Sequence, residues 1–288
     1  MFHNVLYPFS QSILKWRAEN QLPEWVYQQL NKKRLIFTVT TGRSGTGYLA
    51  TMLNTLPNIA AFHEPEPKFT HWMRALQTQP DVAIYFWLLH KLPAIARINT
   101  TYYVETSHLF GKGFFEALSV LDIPFDLILL KRKNREVAKS LFQLNVIPGR
   151  TIDGLKFLLS PNDPVLIPLP ASEVLHDYQL CYWYTLEMEA RGAYYAEQLD
   201  KRGGLVANLE FDEIFSDEGI KKLLNLLNIP VTDLKRTSAY QAIKHQKIND
   251  KKDMKKRRLE LSEEELDTLE KEVLQLTQFY ENEVHYEK

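Results

Sequence analysis

At 288 residues, 45% of them hydrophobic and 25% charged, the chain has the length and make-up of a globular protein with a sizeable core, which excludes a fibrous or disordered segment. A net charge of −1 provides no global field for nucleic acid, so any anionic ligand must be held by local cations. The single cysteine, Cys181, excludes an intrachain disulfide framework and suits a reducing compartment.

Residues 1–34 read as one or two amphipathic helices, with Arg17, Glu19 and Glu24 interrupting any apolar leader. Residues 35–41 form a short β-rich run that empties into Gly42-Arg43-Ser44-Gly45-Thr46-Gly47-Tyr48. Gly42, Gly45 and Gly47 allow the backbone to curl and point N–H groups inward, and the helix beginning near Thr46 adds its positive N-terminal end. Arg43 supplies a fixed cation, while Ser44 and Thr46 offer hydroxyls. The turn is built for phosphate. It lacks the Lys-Ser/Thr pair that closes a nucleoside-triphosphate loop around magnesium, so no metal is expected.

The helix is expected to run to about Leu56, ended by Pro57. A short strand over 58–62 then meets His63-Glu64-Pro65-Glu66-Pro67, whose alternating prolines fix the carboxylates on a stiff loop. Residues 68–98 read as helical, and the stretch Val82–Ile98 carries too many polar residues to span a membrane. Residues 101–105 form a β-rich run ending at Thr106-Ser107-His108, followed by a helix over 112–120. Residues 125–130 are the clearest buried strand, leading into Lys131-Arg132-Lys133 and a helix through Leu144. Residues 145–170, with proline and glycine, predict a surface excursion or lid. A Tyr- and Trp-rich helix over 172–199 predicts core, Cys181 included. A last strand over 205–209 and helices near 217–228 and 262–283 complete the chain, the final helix opened by a Ser262/Glu265 capping box.

Strand–helix alternation at this spacing predicts an α/β fold with a parallel sheet covered on both faces. Ligands in such sheets bind at the carboxyl ends of the strands. The clusters at 42–48, 63–66, 105–108 and 131–135 each follow a predicted strand, so all should share one rim.

Residues 41–49 resemble the 5′-phosphosulfate loop of sulfotransferases that use 3′-phosphoadenosine 5′-phosphosulfate (PAPS). The Arg-Ser-Gly-Thr variant is most like that of carbohydrate and tyrosyl-protein members. Ser140 follows Arg132 by eight residues, the family's spacing for gripping the 3′-phosphate. Glu64 falls 21 residues after Arg43, where tyrosyl-protein members carry their catalytic glutamate, and residues 208–214 are similar to the segment before a late family helix. The resemblance implies a three-layer α/β/α, P-loop NTPase-like fold in one domain over 1–288, with an excursion about 145–200 covering the acceptor side. It also implies in-line sulfuryl transfer to a hydroxyl or amine of a small-molecule or glycan acceptor, releasing adenosine 3′,5′-bisphosphate. Arg43 would stabilise the bridging oxygen, and residues Gly42–Tyr48 with Arg132 and Ser140 would hold the donor.

Gly47 stands where many members have a second hydroxyl residue, and a second departure bears on the base. Glu105-Thr106-Ser107-His108 lacks the lysine that several families place there, and Ser107-His108-Leu109 is similar to the segment bearing the base of cytosolic members. Glu64 and His108 are therefore both base candidates. Acceptor-binding loops are expected at 67–98 and 145–175. The run Lys244–Arg258 holds eight Lys/Arg, and Lys247, Lys251 or Lys252 could close over the 3′-phosphate.

Gly45-x-Gly47-x-x-Ala50 also fits the dinucleotide fingerprint, leaving an NAD(P)-dependent oxidoreductase as the main rival, with Glu64 or Glu66 near the ribose-binding position. A P-loop kinase is opposed by Tyr48 where lysine is needed. A non-catalytic nucleotide- or glycan-binding relative is the third alternative. A soluble, cytoplasmic protein is expected, with neither nucleic acid nor a membrane as partner. Nothing in the sequence indicates the oligomeric state.

Overall fold

The apolar run at the start of the sheet becomes β1 (Arg34–Val39), buried from Leu35 onward. In the computed structural model, which describes residues 6–230, 234, 238–244 and 257–286, four more strands join it. They are β2 (Ile59–Phe62), β3 (Tyr102–Glu105), β4 (Asp126–Lys131) and β5 (Val206–Glu210). All four pairings are parallel and the strand order is 2-3-1-4-5. β1 and β4 are continuous apolar runs because both faces are covered.

Alternation sorts their side chains into two cores. Phe37, Val39, Leu127 and Leu129 enter one, whereas Ile36, Ile128 and Leu130 enter the other, with Val104, Ala207 and Leu209. The second face is closed by α3 (Thr46–Leu53), α11 (Asp217–Leu226) and Tyr240 of α12 (Ser238–Lys244). The first carries α1 (Gln11–Glu19), α2 (Glu24–Leu30), α4 (Thr70–Thr78), α5 (Asp81–Tyr85), α6 (Leu92–Ala96) and α7 (Phe114–Val120). It also carries α8 (Asn134–Gln143) and the long α10 (Asp177–Asp200). The result is a three-layer α/β/α architecture. A final helix, α13 (Glu263–Tyr286), opens with the expected capping box: Ser262 and Glu265 exchange hydrogen bonds of 2.7 and 3.2 Å.

Two expected boundaries move. Tyr178, Trp183, Tyr184 and Tyr195 of α10 are buried, as is Cys181, whose thiol burial pushes up, so α10 belongs to the covering layer rather than to an excursion. The excursion is the stretch between α8 and α10, with one short helix, α9 (Ile152–Phe157). It is held firmly. Arg74 donates to Leu155 O (2.9 Å) and Leu158 O (2.8 Å) and pairs with Asp163 at 2.6 Å, while Glu187 accepts from the backbone of Leu166 and Ile167. Residues 67–98 were expected to help build an acceptor pocket. Phe69, Met73, Trp87 and Leu92 are instead core, because this segment folds back on the first sheet face.

Candidate active site

The glycine turn between β1 and α3 takes the backbone its composition predicts. Gly42 and Gly45 have φ of +80°, and Gly45 is the N-cap of α3. A Cβ on Gly45 would collide with Ile214, and one on Gly42 would press on the His108 ring at 3.2 Å. Between them Arg43 also lies in the left-handed region, with φ of +57°, conformational strain that the surrounding turn holds in place.

Arg132, at the end of β4, reaches this turn. Its Nη1 donates to Arg43 O at 2.7 Å, its Nε pairs with Glu136 at 3.0 Å, and its guanidinium lies 4.5 Å from the Phe211 ring centroid. Arg43 Nε in turn donates to Ser140 Oγ at 3.1 Å, on the second turn of α8. Residues separated by 97 positions thus converge where sequence spacing alone suggested two separate grips. Burial, and then the like charge of Arg132, draw the Arg43 pKa down. Among the described residues no carboxylate pairs with Arg43. Two guanidiniums lie close together and only one of them, Arg132, has a carboxylate partner among the described residues, an arrangement chemically able to accept an anion.

In the same cleft the two base candidates are one hydrogen-bonded pair. His108 Nδ1 lies 2.9 Å from Glu64 Oε1. Burial and the charge of Lys112 push His108 down to about 4, against the pull of Glu64. Burial raises Glu64, but the hydrogen bond and charge of His108, with His63 and Lys112, outweigh it and hold the carboxyl at about 2. At neutral pH the imidazole is neutral and the carboxylate ionised, so Nδ1–H donates and Nε2 keeps the ring's lone pair. Glu64 itself has φ of +52°. Its loop is pinned by Lys91, a buried side chain that donates to Pro67 O (2.9 Å) and Pro65 O (3.3 Å) and pairs with Glu105 at 2.8 Å. His63 Nδ1 lies 2.7 Å from Thr106 O at the same strand ends.

Thr41, Gly42, Arg43, Gly45, Thr46, Gly47, Tyr48, His63, Glu64, His108 and Arg132 line a single cleft of about 490 Å³. No family model and no curated protein matches the chain. Among solved structures, the chain is similar to one titled "Sulfotransferase Domain from the Curacin Biosynthetic Pathway" at 14% identity and a TM-score of 0.46, covering 70% of this chain and 76% of that one.

Ser44 departs from expectation. Its hydroxyl is buried and bonded to Thr40 at 2.6 Å, so only its backbone remains for a ligand. Of the basic run 131–133, Lys131 and Lys133 are exposed and Arg132 alone lines the cleft. Lys247, Lys251 and Lys252 lie outside the described residues. Four further residues contribute, of which only Phe211 falls in a stretch, 208–214, that the sequence marks. Lys91 braces the Glu64 loop; buried Lys112, its pKa pushed far down by burial, donates to Phe157 O beside the cleft. Phe211 and Phe215 line the cleft next to Arg132 and Tyr48, the Phe215 and Tyr48 rings lying 4.7 Å apart. No helix among the described residues is long and apolar enough to cross a membrane.

Proposed function

We propose that this cleft transfers the sulfuryl group of PAPS to an acceptor hydroxyl. The observation that carries the reading is that Arg43 and Arg132, the first bonded to Ser140 and without a carboxylate partner among the described residues, share one cleft with the hydrogen-bonded Glu64–His108 pair. The donor's two phosphate-bearing ends need two cationic grips close together, and both guanidiniums lie there. The positive φ of Gly42 and Gly45 gives the turn the curled backbone that suits an anion.

In this reading the turn's N–H groups, the N-terminus of α3 and Arg43 hold the 5′-phosphosulfate, and Arg43 stabilises the charge that grows on the bridging oxygen. Arg132 and Ser140 hold the 3′-phosphate, and Phe211 and Phe215 offer flat apolar surface to the adenine. His108 Nε2 takes the acceptor's proton as the S–O bond forms, and adenosine 3′,5′-bisphosphate leaves. Glu64 fixes the ring's tautomer and stabilises the imidazolium, the relation of carboxylate to histidine in hydrolase triads. Positioning and charge neutralisation supply most of the acceleration, and the base contributes roughly 10²–10⁴-fold. Both base candidates thus act, in different roles.

The oxidoreductase alternative conflicts with the topology. A dinucleotide fold places β2 beside β1, so that the acid at the end of β2 reaches the ribose. Here β3 stands between them, and Glu64 is engaged by His108. Calorimetric titration with adenosine 3′,5′-bisphosphate and with NAD(P), followed by turnover of radiolabelled PAPS, tests the choice. Binding of NAD(P) without the bisphosphate sinks the proposal.

A further inference from the structure

The acceptor end of the cleft has a composition of its own. Beyond the glycine turn and the Glu64–His108 pair, the cleft is walled by Leu141, Leu144, Val146, Phe157 and Leu158. Leu144, Val146 and Phe157 are half-buried, so each still presents surface to the cleft. The Phe157 ring centroid lies 6.2 Å from that of His108, which puts apolar surface directly beside the proposed base. Along this wall the described lining residues include one polar side chain, the exposed Asp153. The wall is also fixed in place. Lys112 holds the Phe157 carbonyl, Arg74 the carbonyls of Leu155 and Leu158, and Thr151 caps α9 through Gly154 N at 3.1 Å.

A sugar entering here would leave several hydroxyls without partners, each costing about 1–3 kcal/mol. An anionic acceptor would meet the carboxylates of Asp153 and Glu64. An apolar skeleton has neither penalty and gains by covering the wall. Asp153 and Phe157 are the residues of α9 that line the cleft, and Ile152 next to them is 85% exposed.

We infer that the acceptor is an uncharged hydroxyl compound on an apolar skeleton, alkyl or aryl, lying along the wall of residues 141–158 with its hydroxyl at His108. This rests on the sulfuryl-transfer reading of the same cleft. In the transfer, the acceptor O–H proton passes to His108 Nε2, an O–S bond forms, and the bond from sulfur to the donor's bridging oxygen breaks. The leaving bisphosphate takes that electron pair.

The test measures binding of n-octanol, β-naphthol and N-acetylglucosamine by ligand-observed NMR, with bisphosphate binding measured separately by calorimetry. The two apolar probes are expected to bind and to become sulfated with PAPS, and the sugar to do neither. Phe157→Asp should weaken both apolar probes by roughly tenfold or more while leaving bisphosphate affinity unchanged. Leu144→Asp, at a half-buried position lining the cleft, should weaken n-octanol severalfold. Binding and sulfation of the sugar with the apolar probes excluded overturns the inference even where the bisphosphate binds. Apolar binding without bisphosphate binding leaves the acceptor wall standing and overturns the transfer reading instead.

Discussion

Arg191 and Arg43 are both removed from bulk water, and the protein treats them in opposite ways. Arg191, fully buried in α10, pairs with Glu187 at 2.6 Å and donates to Gly111 O, Tyr195 Oη, Tyr7 Oη and the Pro164 carbonyl. Its charge and its donors are answered within the fold. Arg43 keeps one hydroxyl partner among the contacts described and sits beside a second guanidinium. A cation that exists to hold the structure is neutralised when the chain folds. In the proposed reading, a cation left short of a counter-charge at a strand-end rim awaits a ligand, at some cost in stability.

Substitution should separate the two roles, and the largest effect is expected in the interior. Arg191→Ala strands the Glu187 carboxylate in an apolar layer and should destabilise the protein by about 3–5 kcal/mol, read as a fall in the denaturant midpoint. A small effect would mean that the network is as dispensable as a surface ion pair. Arg43→Ala should leave the midpoint unchanged or slightly raised, since a like-charge contact disappears. It should nevertheless cut PAPS turnover by about 10²–10³-fold. Loss of stability in that variant, in step with loss of activity, would erase the contrast between the two arginines.

His108→Ala should lower kcat by about 10²–10⁴-fold with bisphosphate affinity retained, and Glu64→Gln should lower it less, because the imidazole survives without its orienting carboxylate. Should Glu64→Gln prove the more damaging, the carboxylate is the base. The pH response follows from the same pair. His108 has a folded pKa near 4, below its ordinary 6.5, so the unfolded chain binds its proton first as pH falls. Its contribution to stability is fully present above pH 6.5 and is lost as pH falls toward 4. Glu64, ionised down to about 2, adds a loss of the same sign below pH 4.5. Activity should accordingly hold well below pH 6.5 and fall near 4, as a kcat profile would reveal; an ordinary histidine limb near 6.5 contradicts the buried neutral ring. The smallest effect is expected at Ser140→Ala, which removes one hydrogen bond at the edge of the cradle and should weaken bisphosphate binding by about three- to tenfold.

Much of the site was legible before any fold was known, and the reasons are local. The turn at 42–48 needs glycine at positive φ, and an apolar run before it with a helical pattern after it says where such a turn stands. Arg132 stands out because cations at the N-terminal end of a helix are unfavourable without a purpose. Ser44 is ambiguous in the sequence because a hydroxyl in a loop looks the same whether it faces a ligand or, as here, Thr40. The segment 67–98, expected among the acceptor-binding loops, packs as core for a related reason: aromatic residues in helices suit a pocket and a core equally well, and only packing separates the two.

The sequence by itself determined the strands, through apolar runs whose alternate residues feed two cores, and the position of each reactive cluster at a strand end. Those features depend on neighbours a few residues apart. Tertiary structure alone decided which clusters meet. Inserting β3 between β1 and β2 brings His108 to Glu64 across 44 positions, and Lys91 to Glu105 beneath the same loop. Strand order is set by how whole layers cover one another's apolar faces. Two residues joined by it therefore carry no mark of each other in the chain.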